Sequence, residues 1–174
     1  MKTEFTKSEL ASLTARDERK TTQQARRLLD WTTRGYLVPY RKAEGQGKIS
    51  YYDLSNAIEA MVLDRVSSRG IMLSRFSEIF NGGEVKDQLK GCADYLFFKD
   101  ADGGDLEFQD MLLSLVVVND CGSVFIERTA TSEELKLKMR NGDDAPTVNN
   151  FWKTVVIINL NEILAFLRKR LKSV

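Results

Sequence analysis

The sequence predicts an α+β chain, and three observations carry that reading. Apolar residues recur at helical spacing as far as Phe80, Asn81-Gly82-Gly83 then interrupts the pattern, and β-rich runs follow it. The expected division is a helical unit over residues 1–82, interrupted by one basic hairpin, and a small mixed α/β unit with a mostly antiparallel sheet over residues 83–174.

Thr6-Lys7-Ser8-Glu9 has the form of a capping box, with Leu10 and Leu13 spaced i, i+3 behind it, so a first helix is expected from Lys7 to Thr14. Polar residues 15–20 make a connector. Thr21-Thr22-Gln23-Gln24 reads as a second capping box, opening a helix whose inner face is Ala25, Leu28, Leu29 and Trp31 or Thr32, with Arg26, Arg27 and Asp30 facing out. Gly35 ends this helix and Pro39 prevents its resumption. In PYRKAEGQGKISYY, residues 39–52, two glycines lie between β-formers, which predicts a hairpin turning near Glu44 to Gly47. Leu54, Ile58, Met61, Val62 and Val66 then predict a helix within Tyr52 to Arg69, closed by Gly70, and a shorter one follows from Leu73 to Phe80.

Beyond the break, Tyr95 to Phe98, Leu112 to Val118, Val124 to Glu127 and Val155 to Leu160 read as strands, the second and fourth apolar enough for a sheet interior. Turn-forming residues at 100–105 and 119–122 would make the first three an antiparallel meander. Thr131 to Glu134 predicts another helix start, with the helix running to Arg140. Asn161 is expected to cap a terminal helix with the stripe Leu160, Ile163, Leu164, Leu167 and Leu171. That stripe either packs on the sheet of its own unit or forms a dimer seam.

Composition narrows the chemistry. The 174 residues are 43% hydrophobic and 29% charged, an ordinary globular balance. No apolar run approaches the roughly 20 residues that span a bilayer, and MKTEFTKSEL has no signal-peptide core, so no membrane association and a cytoplasmic location are expected. The chain has no His, which excludes His-based metal sites, His general bases and His-activated nucleophiles. Cys92 and Cys121 are expected to be reduced, buried thiols. The acids Asp100, Asp102, Asp105 and Glu107 lack calcium-loop spacing, because the glycines arrive early and no acid stands at the twelfth position. No metal, no cofactor and no enzymatic activity are expected.

The net charge of +1 conceals an asymmetry. Residues 1–82 hold 14 Lys+Arg against 10 Asp+Glu, residues 83–174 hold 12 against 15, and Arg16 to Lys48 alone holds 9 against 4. The basic excess falls on the second helix and the hairpin, where a polyanion would need it.

These residues resemble the winged helix-turn-helix domain of the MerR family of transcriptional regulators over about Phe5 to Phe80. Leu10-Ala11-Ser12-Leu13 is similar to the family's first helix. Leu28, Trp31, Gly35, Tyr36-Leu37 and Pro39 keep the order and spacing of its second helix and exit, Tyr52 matches the Tyr that closes the wing, and Gly70-Ile71-Met72-Leu73 matches the start of its last helix. The turn between the first two helices is about seven residues longer than in the family. Leu29 and Ser50 stand where the family carries backbone-binding arginines, so those two contacts are not carried over, and Arg26, Arg27 and Lys48 are the nearest substitutes. The family's long dimerisation helix and cysteine-rich metal loop have no counterpart here.

The resemblance implies a probe helix and a basic wing on double-stranded DNA. The expected contacts are Thr22, Gln23, Gln24, Arg26 and Arg27 on the helix and Arg41, Lys42, Lys48 and Tyr51 on the hairpin. A homodimer is expected, since one short helix supplies few contacts, and residues 83–174 are expected to serve dimerisation or an effector or protein partner. Two alternatives stand beside this: an architectural or partition-type DNA-binding factor, and a protein-interaction module that keeps the scaffold without DNA contact. The closing basic run Arg168 to Lys172 either complements the helix dipole or touches nucleic acid.

Overall fold

The computed structural model describes residues 4–42, 45, 49–74, 76–77, 85–91, 112–118, 123–129 and 155–172. These are mostly helical, with one antiparallel sheet. In order come α1 (Lys7–Thr14), a 3-10 turn (Glu18–Lys20), α2 (Thr21–Thr33), α3 (Leu54–Ser68), β1 (Leu112–Val118), β2 (Ser123–Thr129), β3 (Val155–Asn159) and a terminal helix (Leu160–Leu171). Residues 73–74, 76–77 and 85–91 are also helical.

α1 starts as its capping box dictates. The Thr6 hydroxyl accepts from the Glu9 N–H, and Glu9 Oε2 accepts from the Thr6 N–H at 2.8 Å. The box expected at Thr21 to Gln24 does not form. The 3-10 turn delivers the chain already coiled, so Thr21 is the first helical residue and the cap position falls on Lys20, which makes no side-chain capping bond. The inner face of α2 is Gln24, Leu28 and Trp31. Leu29, expected inside, is 51% exposed, because the next residue along a helix points about 100° away and Leu28 already holds the inward position.

Past α2 the chain reverses at Gly35, whose φ of 75° is the left-handed conformation a helix-closing glycine supplies. The N–H groups of Tyr36 and Leu37 both donate to the Trp31 carbonyl, at 2.8 and 3.2 Å. Arg41 and Tyr51 then exchange two backbone hydrogen bonds, of 3.1 and 2.9 Å, so the legs of the expected hairpin are paired. Tyr52 exchanges two more with Phe5, of 2.7 and 2.8 Å. The return leg therefore joins the outgoing leg to the segment that precedes α1. Because Tyr52 is extended, α3 begins at Leu54, with Asp53 and Asn56 as a reciprocal cap.

α3 is buried along 12 of its 15 residues, including Ser55, Asn56, Glu59 and Asp64. A helix covered on every side is a central helix rather than an amphipathic surface one. Leu28, Trp31, Leu37, Tyr52, Leu63 and Phe76 are all buried.

The sheet order is β2-β1-β3, both pairings antiparallel, with Leu115 opposite Ile126 on one side and Ile158 on the other. The apolar run of β1 takes the central place, as its composition suggests. The strand expected at Tyr95 to Phe98, the turns around 100–105 and 119–122, the helix expected from Thr131, both cysteines and the break at Asn81-Gly82-Gly83 lie outside the described residues. No helix among the described residues is long and apolar enough to cross a membrane.

The terminal helix differs from expectation in two ways. Its cap is Asn159, whose side chain accepts from the Glu162 N–H at 3.4 Å, so the helix starts at Leu160 and Asn161 lies inside it. Its stripe is also not reserved for the sheet or for a second copy. The helix touches β1 and packs against α1 and α3, and Leu160, Ile163, Leu164 and Leu167 belong to the same core as Leu10, Leu28 and Leu63. Arg65 pairs with Glu162 at 3.1 Å, and Arg69 donates to the Ile157 carbonyl at 2.9 Å. Leu164→Ala is therefore expected to destabilise the helical half by about 2–5 kcal/mol, the usual cost of emptying a buried leucine site. Urea unfolding followed by tryptophan fluorescence checks this through Trp31, and a loss below about 1 kcal/mol would place the terminal helix outside this core.

Candidate nucleic-acid interface

The nine residues expected to meet DNA fall into four groups. Thr22, Gln23 and Arg26 lie on the exposed face of α2, and Arg26 has no ion pair among the described residues. Arg41 and Lys42 are exposed on the outgoing leg of the hairpin. Lys48 lies outside the described residues.

The other three positions are occupied in ways the sequence did not disclose. Gln24 is buried, and its amide donates to the Thr14 hydroxyl at 3.3 Å, while that hydroxyl donates to the Leu10 carbonyl at 2.8 Å. Gln24 thus fastens α2 to α1 and is withdrawn from any groove, which corrects its expected role as a contact. Arg27 donates to the Asp64 carboxylate on α3, which also receives Arg16 at 3.0 Å. Tyr51 is half-buried beneath Arg41, whose guanidinium carbon lies 4.4 Å from the ring centroid. It orients the arginine by cation–π contact.

Two anchors hold the hairpin, one on α2 and one on α3. The buried Tyr52 places its hydroxyl 3.1 Å from the Thr32 hydroxyl, near the C-terminal end of α2. Asn56, at the start of α3, accepts from the Tyr40 N–H at 3.0 Å and donates to the Val38 carbonyl at 2.9 Å. The same amide donates to Glu59 Oε2 at 3.1 Å, so all of its bonding capacity is directed by its surroundings. The outgoing leg of the hairpin is thereby fixed to the central helix.

Glu59 is 1% exposed, and Lys86, from the helical segment 85–91, approaches its Oε1 at 3.5 Å. That oxygen accepts no hydrogen bond among the described residues. Burial raises the carboxyl above its ordinary value of 4.5, and the nearby Lys86 charge and the Asn56 bond offset part of the rise.

At the other end of α2, Ala15, Arg16, Lys20, Gln23, Gln24, Arg27, Asp64 and Ser68 line an open concavity of about 220 Å³. Arg16 and Lys20 belong to the basic excess of residues 16–48 without forming a motif of their own. Their relation to Asp64 is carried by tertiary packing across α3, and no local pattern announces it. Among the described residues no group of three or more acids or cysteines is placed to hold a metal ion.

No family model matches the chain, and no curated protein is significantly similar to it. The resemblance given above rests on its own residues.

The raised Glu59 carboxyl has a defined effect on stability. The folded state binds this proton more tightly than the unfolded chain does. The stabilisation is complete below 4.5 and is lost as pH rises through the folded-state value. Glu59→Gln removes this dependence. In urea titrations across a pH series, the stability of the variant relative to wild type should rise as pH increases above 4.5, and a difference independent of pH would refute the assignment.

Proposed function

We propose that this chain is a DNA-binding transcriptional regulator of MerR-like type, probing a groove with α2 and flanking phosphates with the hairpin as a wing. The carrying observation is the join between the two. Tyr52 bonds to Phe5 and reaches Thr32, and Asn56 holds Val38 and Tyr40, so a hairpin displaying Arg41 and Lys42 stands in a set position beside a helix displaying Thr22, Gln23 and Arg26. Helix in groove and ribbon on backbone is the division of labour that winged helices use.

The residues divide by how available they are. Arg26 is exposed, and a phosphate needs to displace no described carboxylate to reach it. Arg41 pairs with Glu4 at 3.0 Å, but both side chains are well exposed, and a pair of that kind contributes about 0–1 kcal/mol. A phosphate can therefore take the place of Glu4 while Tyr51 keeps the guanidinium aimed. Arg27 is different, because withdrawing it leaves the buried Asp64 with Arg16 alone. Its role is to hold α2 on α3. Gln23 is the side chain best placed to address a base edge, and Asp30, bound to Arg34 at 2.7 Å, keeps the far end of the exposed face close to neutral.

One such helix reads few base pairs, and two-fold pairing of chains is part of the proposal. The terminal-helix stripe is used within one chain, so the pairing surface lies elsewhere. Regulation of transcription then follows from occupancy of paired half-sites, with effector or partner binding assigned to residues 83–174.

Selection of bound fragments from random or genomic DNA tests this reading. Wild type should enrich a two-fold-related motif, and Arg26→Ala should weaken binding at every sequence while lowering the slope of log affinity against log salt by about 0.9, one phosphate's worth. Failure to enrich any motif, together with salt-independent retention, would favour a protein-interaction module. Enrichment that Arg26→Ala leaves untouched would remove α2 from the interface.

A further inference from the structure

A second basic surface, distant in sequence, meets the first at the connector between α1 and α2. Arg170, in the last turn of the terminal helix, donates through Nη2 to the carbonyl oxygen of Ala15 at 3.4 Å across 155 positions, and its guanidinium carbon lies 5.5 Å from the Phe166 ring. Ala15 is also part of the wall of the concavity formed by Arg16, Lys20, Gln23 and Arg27. The last turn that Arg170 anchors carries Arg168 and Lys169 beside it, ends on the apolar Leu171 and has Lys172 as its cap. Lys169 and Lys172 are exposed, as are Arg16, Arg19 and Lys20 on the connector. The helix is held in this position at three points: by Arg170 on Ala15, by Arg65 on Glu162 and by the apolar contacts of Ile163, Leu164 and Leu167.

Among the described residues, the acids near the connector have partners of their own. Asp64 is taken by Arg16 and Arg27, and Asp17 accepts from the Arg19 N–H at 3.1 Å. Glu162 lies at the opposite end of the terminal helix, on Arg65. A helix dipole needs no neighbouring arginines from another element, so dipole complement alone does not account for cations converging from two elements 150 residues apart.

We propose that the basic end of the terminal helix and the connector form one phosphate-binding surface for duplex DNA, a second flank for the helix that probes the groove. α2 has 13 residues and is about 20 Å long at 1.5 Å per residue. Its C-terminal end meets the hairpin through Thr32 and Tyr52, and its N-terminal end continues from the connector, whose first residue, Ala15, receives Arg170 of the terminal helix. A major groove is about 12 Å wide, so flanks at the two ends of α2 meet the backbones of opposite strands. The surface carries no base information. It fixes register and adds salt-dependent affinity. The proposal rests on the DNA-binding reading given above and assigns it a further set of contacts.

The test uses the full-length chain and a labelled mixed-sequence duplex, with binding followed by fluorescence anisotropy over a salt series. Four variants are compared with wild type: Lys169→Ala/Lys172→Ala, Arg19→Ala, Arg26→Ala, and Lys169→Arg/Lys172→Arg. The double Ala variant should lower the log–log slope by about 0.9 for each lysine that meets a phosphate, Arg19→Ala by about 0.9, and the double Arg variant should keep the wild-type slope. All replaced side chains are exposed, and an unchanged thermal midpoint shows that folding is intact. If Arg26→Ala lowers the slope while the double Ala variant and Arg19→Ala leave it at the wild-type value, this surface lies off the DNA and the DNA-binding reading survives. If wild type itself shows no salt-dependent binding, both are overturned.

Discussion

Everything described in the helical half depends on α3 being enclosed on all sides while carrying Asn56, Glu59 and Asp64 into the interior. Each of these polar groups, once removed from water, must be answered by the protein, and each is answered from a different direction. Asn56 is met by the hairpin leg at Val38 and Tyr40, Glu59 by Lys86, and Asp64 by Arg16 and Arg27. Hydrophobic contact alone would let the surrounding elements slide over α3 at small cost. Directional bonds to buried partners set where each one stops. The same requirement explains why Arg27 belongs to the scaffold, although its position on an exposed helix flank suggests a contact residue.

That scaffold has a consequence for the DNA recognition proposed for α2. α2 is fixed at both ends by different means. Near its start Gln24 is bonded to Thr14 and Arg27 to Asp64, and near its end Thr32 meets Tyr52 while Trp31 accepts the N–H groups of the chain leaving the helix. A helix so held presents Thr22, Gln23 and Arg26 without first having to be ordered. Preorganisation of this kind lowers the entropic cost of binding and transfers discrimination to the shape and charge of the partner. The hairpin is held at its root by Tyr52 and Asn56, so the cations on its outgoing leg share the frame of the helix.

Local signals made much of this readable. The Thr6–Glu9 box is complete within four residues and predicts the start of α1, and β1 announces a central strand because six of its seven residues are apolar. The rotation of α2 was not readable. Leu28 and Leu29 are equally apolar, and only the placement of Gln24 beside Thr14 decides which of them is turned inward. Polar residues on α3 were hidden for the opposite reason: a helix buried all round has no polar face for the period to reveal, so Asn56, Glu59 and Asp64 read as ordinary surface positions. The cap of the terminal helix was misplaced by two residues, because Asn159 and Asn161 are chemically the same and only the end of β3 distinguishes them. Its packing against α1 and α3 is a contact between opposite ends of the chain, which periodicity carries no information about.

The packing of the terminal helix into the first half also sets an order of events during synthesis. Ala15 and Arg170 are 155 positions apart, and Arg65 and Glu162 are 97 apart. At typical elongation rates of about 5–20 residues per second, the helices that bear Leu10 and Leu63 emerge on the order of ten seconds before the residues that cover them. During that interval their uncovered apolar face is open to chaperones or to neighbouring nascent chains. Closing the core also requires a loop of more than a hundred residues to form, a slow step whose entropic cost precedes its reward. The helical half therefore cannot complete its core until the helix from Leu160 to Leu171 has been made.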